Sequence, residues 1–195
     1  MSVQLLILYY SRHGSVAALA EKIAIGAQQA GADVMLRTVP ALDGSAVGIH
    51  PHVTEQDLLD ADGFAFGSPV RFGNMAAPLK AFWDNTSSLW LKGALMDKPA
   101  GVFTSSGSMH GGNEANLLSM MLPLLHHGML VIGLPYLEPE LHHTQTGGTP
   151  YGPSHVSGLS AENSLSKDEH QLAIQFGKRL ALAAIALKTS GFTTV

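Results

Sequence analysis

Five short apolar runs, each emptying into a loop and followed by a helix-forming or irregular stretch, constrain this chain more than any other feature. Leu5-Leu6-Ile7-Leu8-Tyr9-Tyr10 is continuous and brief, the pattern of a strand over 3–10 buried on both faces. Val16, Leu19, Ala20, Ile23, Ala27 and Ala30 then share one face of a helix over 16–30, and Gly31 supplies its stop. Val34 to Val39 reads as a second strand ended by Pro40. Residues 41–53 form a loop, and Thr54 caps a short helix through Leu59. Gly63 to Gly67 is a third strand, with a helix at about 75–86 after it. Pro99 to Thr104 is a fourth, followed by a helix over 113–125 with Asn113 as its cap. Met129 to Ile132 is a fifth. A long Gly/Pro/His/Thr loop spans 133–165, and Ser166 with Glu169 three positions on opens a final helix over 166–188. This alternation implies one α/β domain over 1–190, a doubly wound five-stranded parallel sheet with helices on both faces. A loop of that length is expected to be functional or to be ordered at a subunit interface.

A chain of 195 residues with 46% hydrophobic content suits one domain with a sizeable core, and a net charge of −4 offers no basic patch for nucleic acid or anionic membrane. Cysteine is absent, so thiolate nucleophiles, disulfides and Cys-based metal sites are excluded. The ten histidines include adjacent pairs such as His126-His127 and His142-His143, but no H-E-x-x-H, and no metal is expected. No run is long enough to span a bilayer, and the start is already strand-like. The default expectation is a cytoplasmic protein.

Parallel strands all point one way, so their strand-to-helix loops gather at one edge, where ligands bind. Three of these loops are rich in Gly, Ser and Asn: 11–15, 68–74 and 105–112. The first, Ser11-Arg12-His13-Gly14-Ser15, offers hydroxyls, loop amides and a helix N-terminus to an anion. It matches neither G-x-G-x-x-G nor G-x-x-x-x-G-K-[ST], and so suits a single phosphate monoester better than a pyrophosphate. The plainer reading of the same residues is turn and cap chemistry, with Ser15 as the cap and Gly14 as the turn. The other two loops would flank a planar ring. G-x-S-x-G is absent and no carboxylate pair stands at a strand end. A site that positions without a reactive side chain suits a protein whose cofactor carries the chemistry.

Tyr9-Tyr10-Ser11 with Gly14, Ser68-Pro69-Val70-Arg71-Phe72-Gly73-Asn74-Met75, Leu89-Trp90, His126-His127-Gly128-Met129 and Gly147-Gly148-Thr149-Pro150-Tyr151-Gly152 carry a resemblance over nearly the whole chain. It resembles the flavodoxin-like NAD(P)H:quinone oxidoreductases of the tryptophan-repressor-binding-protein (WrbA) type. The resemblance implies a three-layer sheet of order 2-1-3-4-5, a bound FMN, NADH or NADPH as hydride donor, a quinone as acceptor and a homotetramer. It places the FMN phosphate on Ser11, Arg12, His13, Gly14, Ser15 and Val16. It lays the isoalloxazine ring along Pro69, Val70, Arg71, Phe72, Gly73 and Asn74, and against Ser105, Ser106, Gly107, Ser108, Met109 and His110. His126 would reach the flavin from a neighbouring subunit, and Trp90 would line the substrate space. Arg71 and His126 would orient the ring partners, and the loop over 133–165 would lie at the subunit interface. The family loop often reads Ser-x-Tyr-Gly-His, so His13 stands where an aromatic contact to nicotinamide is usual. Read without the resemblance, Trp90 is a core residue, His126-His127-Gly128 ends a helix and Arg71 is a surface charge. Two alternatives stay open beside the reductase: a flavodoxin-type electron carrier or flavin-binding regulatory module, and a binding protein for another phosphate ester.

Overall fold

A computed structural model describes residues 2–45, 48–158, 160 and 163–192. Its sheet follows the expected order. The main strands are β1 (Gln4–Tyr9), β2 (Asp33–Thr38), β3 (Gly63–Arg71), β5 (Pro99–Ser106) and β6 (Leu130–Val131), arranged β2-β1-β3-β5-β6 and all parallel. Register runs Leu5↔Val34 on one side of β1 and Leu5↔Gly63 on the other, so the strand tips and their loops end level.

Alternation along β1 divides the core. Leu5, Ile7 and Tyr9 face α1 (Ser15–Gln29) and α7 (Lys167–Ser190), whereas Leu6, Leu8 and Tyr10 share a second core with Leu79, Trp83, Leu117 and Leu124. That second layer holds α3 (Ala77–Asp84) and α5 (Asn113–His126). The short α2 (Glu55–Asp60) contributes Leu58 to it, and α4 (Ser87–Leu91) contributes Leu89. Helices α1 and α7 touch backbone to backbone. A Cβ on Gly26 would lie 1.9 Å from the Ile174 carbonyl oxygen, and one on Gly177 would lie 2.0 Å from that of Ile23.

Several local expectations are corrected. The expected fifth strand is split: β6 pairs only Pro99 and Ala100, and β7 (Ser154–Val156) pairs Thr104 to Ser106 further along β5. The segment 133–165 is therefore no structureless loop; it contains β7 and α6 (Glu140–His143). The loop after β3 is a hairpin. β4 (Asn74–Met75) folds back antiparallel on Val70 and Arg71 through Phe72-Gly73, both at positive φ (53° and 76°), as a two-residue I′ turn requires. The helix expected at 75–86 is the shorter α3, and α4 follows beyond the expected range. Two caps also differ: Gly14 and Gly112 hold the N-cap positions, so Ser15 and Asn113 are the first helical residues. The Thr54/Asp57 and Ser166/Glu169 capping boxes both form. No described helix is long and apolar enough to cross a membrane.

Candidate functional site

The level strand tips bring the three loops onto one cleft of about 90 Å³. Ser11, Arg12, His13, Ser15 and Val16 border it from the first loop. Pro69, Val70 and Arg71 border it from the second, and Ser105, Ser106 and Gly107 from the third. Ser11 Oγ accepts the N–H groups of Gly14 (3.2 Å) and Ala17 (3.3 Å), which leaves its own O–H to donate outward. The first turn of α1 has no acidic residue, so the positive end of the helix dipole faces the cleft uncompensated. Hydroxyls, loop amides and a helix N-terminus around a volume this small fit a phosphate monoester, and the phosphate of FMN is one.

Beneath the cleft the two ring-side loops are tied together. Thr104 Oγ1 donates to the Ser68 carbonyl (2.7 Å) and so accepts from Asn116 Nδ2 (2.7 Å), while Ser68 Oγ accepts the Ala76 N–H (2.8 Å). All three side chains are buried. This network fixes the spacing between the exits of β3 and β5.

Not every expected residue reaches the cleft. Gly14 is the left-handed turn (φ 96°) at the entrance to α1. Phe72, fully exposed on its hairpin tip, and Asn74 border a neighbouring cavity of about 770 Å³, which shares only Arg12 and Arg71 with the cleft. Gly73 completes the turn between them. Ser108 lies in the turn after β5 and accepts from Ser106 Oγ (2.7 Å); Met109 and His110 follow it, exposed and outside the cleft.

Trp90 and His126 meet each other but not the cleft. Trp90 Nε1 donates to the His126 carbonyl (2.8 Å), and both border a groove of about 590 Å³ between α3, α4 and α5. His127, behind them, is buried. Thr86 Oγ1 gives its proton to the Trp83 carbonyl (2.7 Å), so the 2.9 Å contact to His127 Nε2 is a donation from the imidazole. Burial, with His126 next to it, pushes the His127 pKa down and keeps the ring neutral.

The 133–165 stretch gives the cleft one bordering residue and its first loop one clamp. Ser157 borders the cleft and binds the Ser106 carbonyl through its N–H (2.9 Å) and hydroxyl (3.2 Å). Asn163 clamps the first loop: Ser15 Oγ donates to its Oδ1 (3.0 Å), and its Nδ2 donates to the His13 carbonyl (2.8 Å). Ser157 follows a three-residue strand, too short to signal it. Asn163 has no local signal.

Titratable groups around the site are fixed structurally. Burial would raise the Glu169 pKa, but His155 and the N–H groups of Val156, Ser166 and Gly147 outweigh it and hold the carboxyl at about 2. Tyr9 is pushed up to about 12 by burial and by Glu21, and its neutral O–H meets His50 Nδ1 at 2.7 Å. Asp43, held low by Ser45 and Arg12, receives Arg12 Nη1 at 3.0 Å.

Residues 3–140 match the family model described as NADPH-dependent FMN reductase. Proteins named NAD(P)H dehydrogenase (quinone) from Geotalea daltonii and Geotalea uraniireducens are each 39% identical over 201 residues, covering 95% of this chain and 98% and 99% of theirs. Among solved structures, a flavodoxin, WrbA-like protein from Agrobacterium tumefaciens superposes with a TM-score of 0.71 at 24% identity, covering 95% of this chain and 99% of that one. An archaeal flavodoxin superposes at 0.66 with 19% identity, covering 94% and 99%. Both likenesses are of fold.

Proposed function

The chain belongs to the NADPH-dependent FMN reductase family and is an FMN-dependent oxidoreductase, and from that premise we propose that it reduces quinones with a nicotinamide donor by a two-electron, ping-pong cycle. The observation that carries the reading is the convergence of three separate loops, with Ser157, on one phosphate-sized cleft at the N-terminus of α1. Bound FMN would supply the redox chemistry, a two-electron transfer through its N5 from nicotinamide to quinone. The protein supplies the rest. The Ser11 hydroxyl and the loop amides, with that of Ser15 among them, would hold the phosphate, and Arg12 would add a charge-assisted donor. The Ser68–Thr104–Asn116 network holds the ring-side loops at fixed spacing, so that ring partners stack without reorganisation.

Trp90 and His126 belong to the same site in this reading, contributed by a neighbouring copy. Within one chain their groove borders none of the cleft residues. A homotetramer that apposes groove and cleft completes the site, with the 133–165 segment at the interface.

The test is anaerobic. FMN is added to the purified protein, free flavin is removed, NADH or NADPH is mixed in, and benzoquinone follows. Bleaching of the visible flavin band by the nicotinamide and its recovery on quinone addition is the expected result. A retained flavin that ignores both nicotinamides identifies an electron carrier or regulatory module instead. Sedimentation of the active form should give a tetramer, and an active monomer refutes the shared site.

A further inference from the structure

The 770 Å³ cavity beside the cleft lies outside the phosphate site. Its walls are Tyr10 at the tip of β1, Arg12, the hairpin from Arg71 to Met75, and the first two turns of α3. Three cations border it, Arg12, Arg71 and Lys80, against one carboxylate, Asp84. That local excess runs against a chain with 11 Lys and Arg and 15 Asp and Glu. Arg71 donates to the Val70 carbonyl (2.9 Å) and has no carboxylate partner among the described residues. Arg12 is held by Asp43, which lies outside the cavity, and Lys80 by Asp84 in an exposed i,i+4 pair, an arrangement that yields readily to a multiply charged anion.

The rest of the wall is made largely of small residues. Ala76, Ala77, Pro78 and Ala81 leave room where larger side chains would fill it. Phe72 stands fully exposed at the rim, its backbone at φ 53°, a conformation that bulky residues rarely adopt. An exposed aromatic beside two guanidinium groups suits a purine base with phosphates.

We infer that this cavity takes the adenosine-phosphate half of the nicotinamide donor, and that Lys80 there selects the 2′-phosphorylated form, NADPH. The inference rests on the reductase reading. Arg12 and Arg71 border both cleft and cavity, so they meet the pyrophosphate that NADH and NADPH share. Lys80 lies away from the cleft, bordering the cavity and the groove of Trp90, and is the cation left for the extra phosphate.

Calorimetry on the FMN-loaded protein tests this with two probes that differ only in the 2′-phosphate, adenosine 2′,5′-bisphosphate and 5′-AMP. The bisphosphate should bind about tenfold more tightly, as one added charge-assisted contact implies. Lys80→Met, a change on a half-exposed helical position, should bring the two probes within about twofold while FMN affinity holds. Asp84→Asn, which removes the one carboxylate, should tighten the bisphosphate about threefold. Equal affinities, indifference to Lys80→Met, or release of FMN by the bisphosphate overturns the assignment. Equal rates of flavin bleaching by NADH and NADPH overturn it too and leave the reductase reading standing. No bleaching by either removes that reading and this inference with it.

Discussion

Glu169→Gln offers the sharpest test of how the site is held. Glu169 is the third residue of α7 and 1% exposed, yet it is ionised. Oε1 accepts the N–H groups of Gly147 (2.8 Å) and Val156 (3.0 Å), and Oε2 accepts those of Ser166 (2.8 Å) and His155 Nδ1 (2.9 Å). One carboxylate thus caps a helix and fastens β7, which carries Ser157 into the cleft. Glutamine keeps the Oε1 pair and turns an NH₂ group on the other two donors. Two charge-assisted bonds at roughly 1.5–3 kcal/mol each are broken, of which a change of His155 tautomer recovers one at most. Proton linkage gives a similar figure: a pKa that falls from 4.5 to about 2 on folding corresponds to ~3 kcal/mol at 1.36 kcal/mol per unit. The variant should lose about 3 kcal/mol at pH 7, a fall in Tm of roughly 6–12 °C for a domain this size. A depressed carboxylate stabilises fully above its unfolded pKa and loses that contribution as pH falls through the folded value. Wild type and variant should therefore differ most above about pH 5 and converge as the pH approaches 2. Urea unfolding followed by circular dichroism across that range measures both. A loss under about 1 kcal/mol at neutral pH, or parallel curves down to acid, refutes the buried-anchor argument.

Other expectations concern the cleft, the groove and the hairpin. Ser11→Trp removes an acceptor of two N–H bonds and fills the phosphate space, so FMN should bind at least about thirtyfold more weakly, at roughly 1 kcal/mol per bond, in a fluorescence titration; unchanged affinity contradicts the phosphate-loop assignment. Trp90→Ala should cut quinone turnover more than FMN binding in steady-state assays, and equal loss of both makes Trp90 structural. Phe72→Asn puts a residue suited to positive φ into the I′ turn and should stabilise the fold by about 1 kcal/mol in thermal unfolding. The same change should weaken adenosine 2′,5′-bisphosphate, and a variant that is both more stable and equally tight would show that the ring plays no part there.

The layers and strand order were legible because their signals are local. A continuous apolar run such as Leu5 to Tyr10 has one comfortable place, between two helical layers, and repeating it fixes the sheet. Capping boxes at Thr54 and Ser166 are likewise local, and both form. The reading failed where a distant partner decides the outcome. Ser15 has the right residue type for a cap, but Ser11 already accepts the α1 amides and Asn163, 148 positions away, takes the Ser15 hydroxyl. β7 has three residues, too few for a pattern, and is held by a carboxylate on α7. The hairpin at 72–73 was hidden because Phe72 occupies a position where Asn or Asp would have announced an I′ turn.

The same division runs through the site. Its legible half is backbone: Gly, Ser and Pro at strand ends place amides and hydroxyls wherever the sheet places the strands, and eleven of the expected residues border the cleft accordingly. The half that was not legible is made of side chains whose roles depend on packing. Asn116 reads as an ordinary polar residue inside a helix, yet buried between Ser68 and Thr104 it ties the exits of β3 and β5 together. Lys80 reads as one end of a helical ion pair, yet α3 carries it to a cavity shared with two arginines. Residues of this second kind are free of the strand-end pattern that places the loops at the sheet edge. Donor choice should therefore follow the charge at position 80 more closely than it follows the loop at 11–15.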